Sequence, residues 1–143
     1  MTLTTTSVDS NTIVDILNQD HALNQRALAA IENSRQAGPL IVSSPVYSEL
    51  MGLPTRTQAI LDEFFTIGNI KVDWRFDETI WHAAGVGFKG YVERRLVDTS
   101  QLPRRILADF LIGAHALVRG HTLLTTDSRH YAIGFPNLPI ITV

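Results

Sequence analysis

Four acidic residues stand where carboxylate chemistry could be assembled: Asp9, Glu49, Asp109 and Asp127. Asp109 is the most unusual of them, because it interrupts the apolar series Ile106-Leu107-Ala108-Phe110-Leu111-Ile112. A buried ionised carboxylate is costly unless it is paired, hydrogen-bonded or bound to a cation. Carboxylates crowded together repel one another, and a divalent cation relieves that repulsion. Mg²⁺ and Mn²⁺ take hard oxygen ligands and keep several waters. Such an ion can activate water and neutralise charge developing on a phosphodiester. Each acid also has a plainer reading. Asp9 could close an Asx turn, Glu49 could be a solvated helix residue, and Asp127 could cap the segment that follows it. Asp109 could pair with Arg105 four residues earlier. The joint placement, not any single residue, carries the argument.

The elements that would position these acids alternate between strand and helix. A strand over residues 3–8 leads directly into Asp9. Ser10 or Asn11 then caps a helix from Thr12 to about Asn18. A second helix runs from Asp20 to Gln36 and stops at Gly38-Pro39. Leu40-Ile41-Val42-Ser43 reads as a buried strand. Ser44-Pro45 opens the helix that carries Glu49, with proline at the first helical position, where a missing N–H costs nothing. Thr55–Thr66 is amphipathic and helical, Ile70–Trp74 alternates as a strand, and Asp77–Leu96 is helical with a soft patch at Gly85 and Gly87. A helix opening at Leu102-Pro103 continues through Asp109 to Arg119 and closes at Gly120. Thr122–Thr126 is a strand running into Asp127, Ser128–Ile133 a short helix, and Leu138–Val143 a last strand. This order predicts an α/β fold, a three-layer α/β/α sandwich with a mostly parallel central sheet. Asp9 and Asp127 would both leave carboxyl ends of parallel strands, where ligands gather in such sheets. Gly113 lies one turn beyond Asp109 and leaves room for a close neighbour.

Size and composition are compatible with this reading and exclude several others. The chain has 143 residues, 45% hydrophobic and 18% charged, which suits one globular domain over residues 1–143. There is no cysteine, so thiol catalysis and cysteine metal sites are excluded. The polar, threonine-rich start is unlike a secretion signal. The apolar stretch Ile106–Val118 is too short for the roughly 20 residues of a membrane span. The expectation is a soluble cytoplasmic protein. Net charge is −2, yet ten of the twelve Lys and Arg residues lie between Arg56 and Arg129, enough for a local cationic face on an otherwise ordinary surface.

Other residues rank lower. His115 falls on a different helical face from Asp109 and reads as a core or edge histidine, while His121 and His130 read as surface residues. No two histidines have zinc-site spacing. Trp74, Trp81, Phe76 and Tyr91 could stack on unpaired bases, or fill core or a subunit interface. Phe64-Phe65 reads as core or a dimer face. A phosphatase of the aspartate type wants a second Asp where Asn11 stands. A receiver domain wants a late lysine, and the only lysines are Lys71 and Lys89. No Gly-x-Gly-x-x-Gly follows a strand, which excludes a dinucleotide binder.

Val8-Asp9-Ser10-Asn11-Thr12 resembles the opening motif of PIN-domain nucleases, and Ser44-Pro45-Val46-Tyr47-Ser48-Glu49-Leu50 is similar to their second acidic segment. The most specific match is Ala108-Asp109-Phe110-Leu111-Ile112-Gly113-Ala114-His115-Ala116-Leu117, followed by Gly120 and then Thr122–Tyr131 around Asp127. Leu138–Val143 resembles the family's last strand. Within the family, a chain of this length looks like the VapC-type toxins of bacterial toxin–antitoxin pairs. The resemblance implies a PIN-like nuclease domain that cleaves RNA with Mg²⁺ or Mn²⁺, forms a homodimer and is held inactive by a cognate antitoxin protein. It implies Asp9, Glu49, Asp109 and Asp127 as metal-binding and catalytic acids, with Asn11 and Thr126 as supporting polar residues. The alternative it leaves is a PIN-like module that binds RNA or protein without catalysis.

Overall fold

The computed structural model describes residues 2–95 and 107–143. Its elements, in chain order, are β1 (Thr6–Val8), α1 (Ser10–Leu17), α2 (Asn24–Ala37), β2 (Leu40–Ser43), α3 (Ser44–Met51), α4 (Gln58–Ile67), β3 (Ile70–Asp73), α5 (Glu78–Arg95), α6 (Leu107–Arg119), β4 (Thr122–Thr125), α7 (Arg129–Gly134) and β5 (Ile140–Thr142). The strands form one sheet in the order β3-β2-β1-β4-β5, and every pairing is parallel. The sheet is thus wholly parallel, a stronger result than the mostly parallel one expected.

The chain moves one way from β1 to β2 to β3, then reverses to reach β4 and β5. Right-handed crossovers therefore put α1–α4 on one face and α5–α7 on the other, which makes three layers. The reversal falls between β1 and β4, the place where ligands gather in open parallel sheets. Val8, Leu40, Val42, Ile70, Leu123 and Leu124 are buried in the sheet. Ile13, Val46, Leu50 and Leu61 lie beneath one helical layer, and Phe110 and Ile112 beneath the other. Full burial of side chains of this size contributes roughly 1.5–3 kcal/mol each.

The ends of the elements follow local chemistry. Asp9 itself caps α1, its carboxylate accepting the Ser10 N–H at 2.8 Å, so that helix starts before the expected Thr12. Pro45 sits in the first turn of α3, which begins at Ser44. Thr57 caps α4 by accepting the Ile60 N–H, which shortens that helix at its start. Asp77 likewise receives the Ile80 N–H at the head of α5. Helix α5 runs unbroken through Gly85 and Gly87, so the soft patch does not interrupt it. Gly120, with φ of +73°, ends α6 in the left-handed conformation that glycine adopts without strain. The expected opening of α6 at Leu102-Pro103 and the pairing of Asp109 with Arg105 lie outside the described residues.

Candidate functional site: an acidic centre at the carboxyl ends of β1 and β4

Asp9 is 3% exposed and is held from several sides. The Thr125 hydroxyl donates to its Oδ2 at 2.9 Å and the Tyr131 hydroxyl donates to the same atom at 2.8 Å, while Oδ1 takes the Ser10 N–H. Ser10 links Asp9 to Glu49. Its hydroxyl lies 3.1 Å from Glu49 Oε1 and 3.4 Å from Asp9 Oδ1. Asn11 joins from the next helical position, its Nδ2 donating to Thr125 Oγ1 at 3.2 Å and its Oδ1 accepting the Thr126 N–H at 3.2 Å. The network thus ties α1, α3, β4 and α7 together.

The electrostatics follow from burial and crowding. Burial raises the Asp9 carboxyl above the usual range, against the lowering effect of the Tyr131 and Thr125 hydrogen bonds. Burial also raises Glu49, and the neighbouring charges of Asp9 and Asp109 add to this. Asp109 is raised by burial and then by Asp9, with smaller opposing effects from His130 and the Tyr131 hydroxyl. The Tyr131 phenol is driven strongly upward by burial and by Asp9 and Asp109, so it stays a hydrogen-bond donor. Among the described residues, no Lys, Arg or His forms an ion pair with Asp9, Glu49 or Asp109. Among the described residues, then, the three carboxylates have no cation paired to them in their partly dry corner.

Asp127 differs. Its two oxygens take Arg129 Nε at 3.0 Å and Arg129 Nη2 at 2.9 Å, and the Arg129 guanidinium beside it holds the carboxyl down at about 2. It lies close enough for its charge to be felt at Asp109, but its own charge is already answered. The structure thus links Asp9 to Glu49 through Ser10, sets Asp109 near enough for the Asp9 charge to raise its carboxyl, and leaves Asp127 at the margin, turned to a neighbour two residues away.

Of the supporting residues, Asn11 is in the network as expected. Thr126 takes part through its backbone N–H, whereas the hydroxyl that reaches Asp9 belongs to Thr125. Strand β4 ends at Thr125, one residue earlier than expected, and strand alternation then turns Thr125 to the Asp9 side. Tyr131 was not anticipated. Its access depends on Gly113, where a Cβ would come within 2.6 Å of the Phe135 ring and 3.1 Å of the Tyr131 ring. The close neighbour for which Gly113 leaves room is therefore α7, carrying the tyrosine that clamps Asp9.

The histidines also resolve. His115 is fully buried, with Nε2 2.9 Å from Asp73 Oδ2 and its ring stacked on Phe76. Against the expectation of surface residues, His121 is half-buried against His115, and His130 is half-buried against Tyr91. Among the aromatics, Tyr91 is core, while Trp74 and Trp81 stay more than half exposed. Phe65 is core and Phe64 is half-buried beside it.

The donor chemistry suits a hard divalent cation: carboxylate oxygens, charge with no paired cation among the described residues, and a partly dry setting. Among the described residues, no three acidic or imidazole side chains stand as a ready-made cage. Mg²⁺ does not demand one, since it commonly binds through one or two carboxylates and retains water.

The PIN domain family description matches residues 7–136. The chain belongs to the PIN-domain family. No curated protein matches it. Its fold is shared with VapBC2 from Rickettsia felis, bound to a DNA fragment from their promoter, at TM-score 0.71 and 19% identity over 96% of this chain and 98% of that one. It is shared also with VapBC-1 from nontypeable Haemophilus influenzae, at TM-score 0.67 and 17% identity over 96% and 97% of the two chains. FitAcB from Neisseria gonorrhoeae matches at TM-score 0.63 and 18% identity, over 96% of each chain.

Proposed function

We propose that residues 1–143 form a single nuclease domain, a divalent-metal-dependent endoribonuclease that hydrolyses RNA phosphodiester bonds. We propose further that it is the toxin of a toxin–antitoxin pair, working in the cytoplasm as a homodimer and silenced by a cognate antitoxin protein. One observation carries the catalytic reading: Asp9, Glu49 and Asp109 crowd together, with raised carboxyl pKa values and no cation paired to them among the described residues. The partner reading is supported by the shared fold of solved toxin–antitoxin complexes. No helix among the described residues is long and apolar enough to cross a membrane.

In this reading Asp9, Glu49 and Asp109 hold Mg²⁺ or Mn²⁺, with Asp127 contributing once released from Arg129. The ion supplies electrophilic stabilisation of the phosphodiester and lowers the pKa of water. The protein supplies the rest. Thr125, Tyr131 and the Ser10 N–H fix the Asp9 carboxylate in one orientation, so no reorganisation is needed as charge develops. Glu49 is the more accessible acid, held through Ser10, and is placed to accept a proton from an attacking water. In-line attack would leave a 3′-hydroxyl and a 5′-phosphate.

The test is cleavage of labelled total cellular RNA by purified protein in Mg²⁺, in Mn²⁺ and in EDTA, with Asp9→Asn alongside. Metal-dependent cleavage that the variant lacks is the expected result. Full activity in the variant would sink the site assignment. A wild type that neither cleaves nor binds metal on titration would favour the non-catalytic module.

A further inference from the structure

Of the four acids, Asp127 has its charge answered, and among the described residues every donor to its side chain belongs to Arg129. The guanidinium meets both carboxylate oxygens, with Nε 3.0 Å from Oδ1 and Nη2 2.9 Å from Oδ2, and the Arg129 N–H donates to Oδ1 at 3.2 Å. The backbone of Asp127 nevertheless stays with the centre. Its N–H donates to Thr125 Oγ1 at 3.2 Å, and that hydroxyl donates in turn to Asp9 Oδ2 at 2.9 Å. The main chain of Asp127 is thus two hydrogen bonds from Asp9, and its charge is felt at Asp109. What separates its carboxylate from the centre is side-chain direction, not the path of the chain.

The pair that holds it there is easily exchanged. The side chains are 41% exposed at Asp127 and 77% exposed at Arg129. Water screens such a pair, so it holds weakly. A guanidinium fork fits a phosphate as well as it fits a carboxylate, with two parallel N–H···O bonds to either. A chain of phosphodiesters arriving at the acidic centre therefore offers Arg129 a second partner of matching shape and charge. Whichever anion Arg129 holds, the other is free.

We propose that Arg129 is a phosphate-operated latch: alone it holds Asp127 away from the acidic centre, and on arrival of a polynucleotide it exchanges Asp127 for a phosphate group and releases the fourth acid to the centre. The inference rests on the metal-site reading above and adds the order in which that site is assembled. A cation arriving alone finds three acids, and one arriving with a polynucleotide finds four. Cation and polynucleotide therefore tighten one another, and by linkage each does so by the same factor.

The test is Mn²⁺ titration of the full chain, read from the electron paramagnetic resonance signal of free Mn²⁺, with and without a saturating single-stranded DNA octamer. Ions bound by the octamer alone are subtracted. Without the octamer, Arg129→Gln should tighten Mn²⁺ about fivefold, the scale of one surface ion pair. In an Asp127→Asn background the same change should do nothing, since there is no carboxylate to release. This cycle separates a latch from the simple removal of a nearby positive charge, which would tighten Mn²⁺ equally in both backgrounds. The octamer should tighten Mn²⁺ about fivefold more in the wild type than in Arg129→Gln, and an uncharged methylphosphonate octamer should lack that gain. Equal tightening by Arg129→Gln in both backgrounds overturns the latch and leaves a plain electrostatic effect. Equal octamer gains in the wild type and Arg129→Gln overturn the exchange with phosphate. A wild type that binds no Mn²⁺ under either condition overturns the latch together with the metal reading, whereas Mn²⁺ binding indifferent to Arg129 overturns the latch alone.

Discussion

Two carboxylates at the same end of the same sheet have opposite fates. Extending the strand register sets Thr125, Asp9, Ser43 and Asp73 in one row on the face covered by α5–α7, with Asp9 and Asp73 two strand spacings apart, roughly 10 Å. Asp73 receives the Arg75 N–H and side chain and faces His115, with Arg119 3.8 Å away. Burial pushes its carboxyl up, yet these partners together hold it at about 2. Among the described residues Asp9 receives only neutral donors, and burial raises its carboxyl. An ionised Asp73 can only accept, so His115 Nε2 must carry the proton and donate it, which leaves the buried Nδ1 without a partner among the described residues. The comparison separates a carboxylate used to hold helix to sheet from one kept short of positive charge. Only the second gains by taking up a cation.

The largest expected effect breaks the comparison at Asp9. Asp9→Asn should lower the cleavage rate about a thousandfold, the scale of several kcal/mol of lost charge stabilisation. Its circular dichroism spectrum should remain that of the wild type, because the change removes no packing volume. The converse holds at the other end of the row. His115→Ala deletes a fully buried partner of Asp73, and urea titration should show a loss of about 3 kcal/mol. Cleavage per folded molecule should stay unchanged, and a large drop in it would erase the distinction between the two regions.

Gly113→Ala sharpens the comparison, since the added methyl meets the Tyr131 and Phe135 rings. It should cost about 2 kcal/mol by overpacking and also slow cleavage by displacing the Asp9 clamp. Tyr131→Phe, which keeps the ring and loses the hydroxyl, should slow cleavage with less loss of stability. The smallest effect is in pH. Burial holds His115 below the usual imidazole range, and burial together with His115 does the same to His121. The unfolded chain therefore binds more protons than the folded one just below the unperturbed imidazole value. Stability should fall as pH drops through about 6.5, by no more than about 1.4 kcal/mol per pH unit for each histidine. Asp73 adds a further loss only as pH falls from about 4 toward 2. Urea midpoints across pH 5–8 should show the first slope, and His121→Asn should reduce it.

Much of this was legible in the sequence because it is local. Strand alternation, Pro45, Gly120 and the polar residues before helices fix the order of elements, and the apolar run around Asp109 marks that acid as out of place. Parallel strands joined by helices follow from the order, and with them the convergence of Asp9 and the β4 end. What the sequence did not reveal depends on register and on side-chain direction. A one-residue difference in where β4 ends exchanges Thr126 for Thr125 at Asp9, because neighbouring strand residues point to opposite faces. Asp127 is adjacent to its predicted place, yet its nearest cation is two residues away and engages both its oxygens. Tyr131 reaches Asp9 across 122 residues of chain through the space left by Gly113. No spacing rule links these two, since only packing of α7 against α6 brings them together. Sequence by itself determined the set of acids and the scaffold that gathers them. Tertiary structure decided which of them lie together with no paired cation among the described residues, because pairing and burial are properties of neighbours in space.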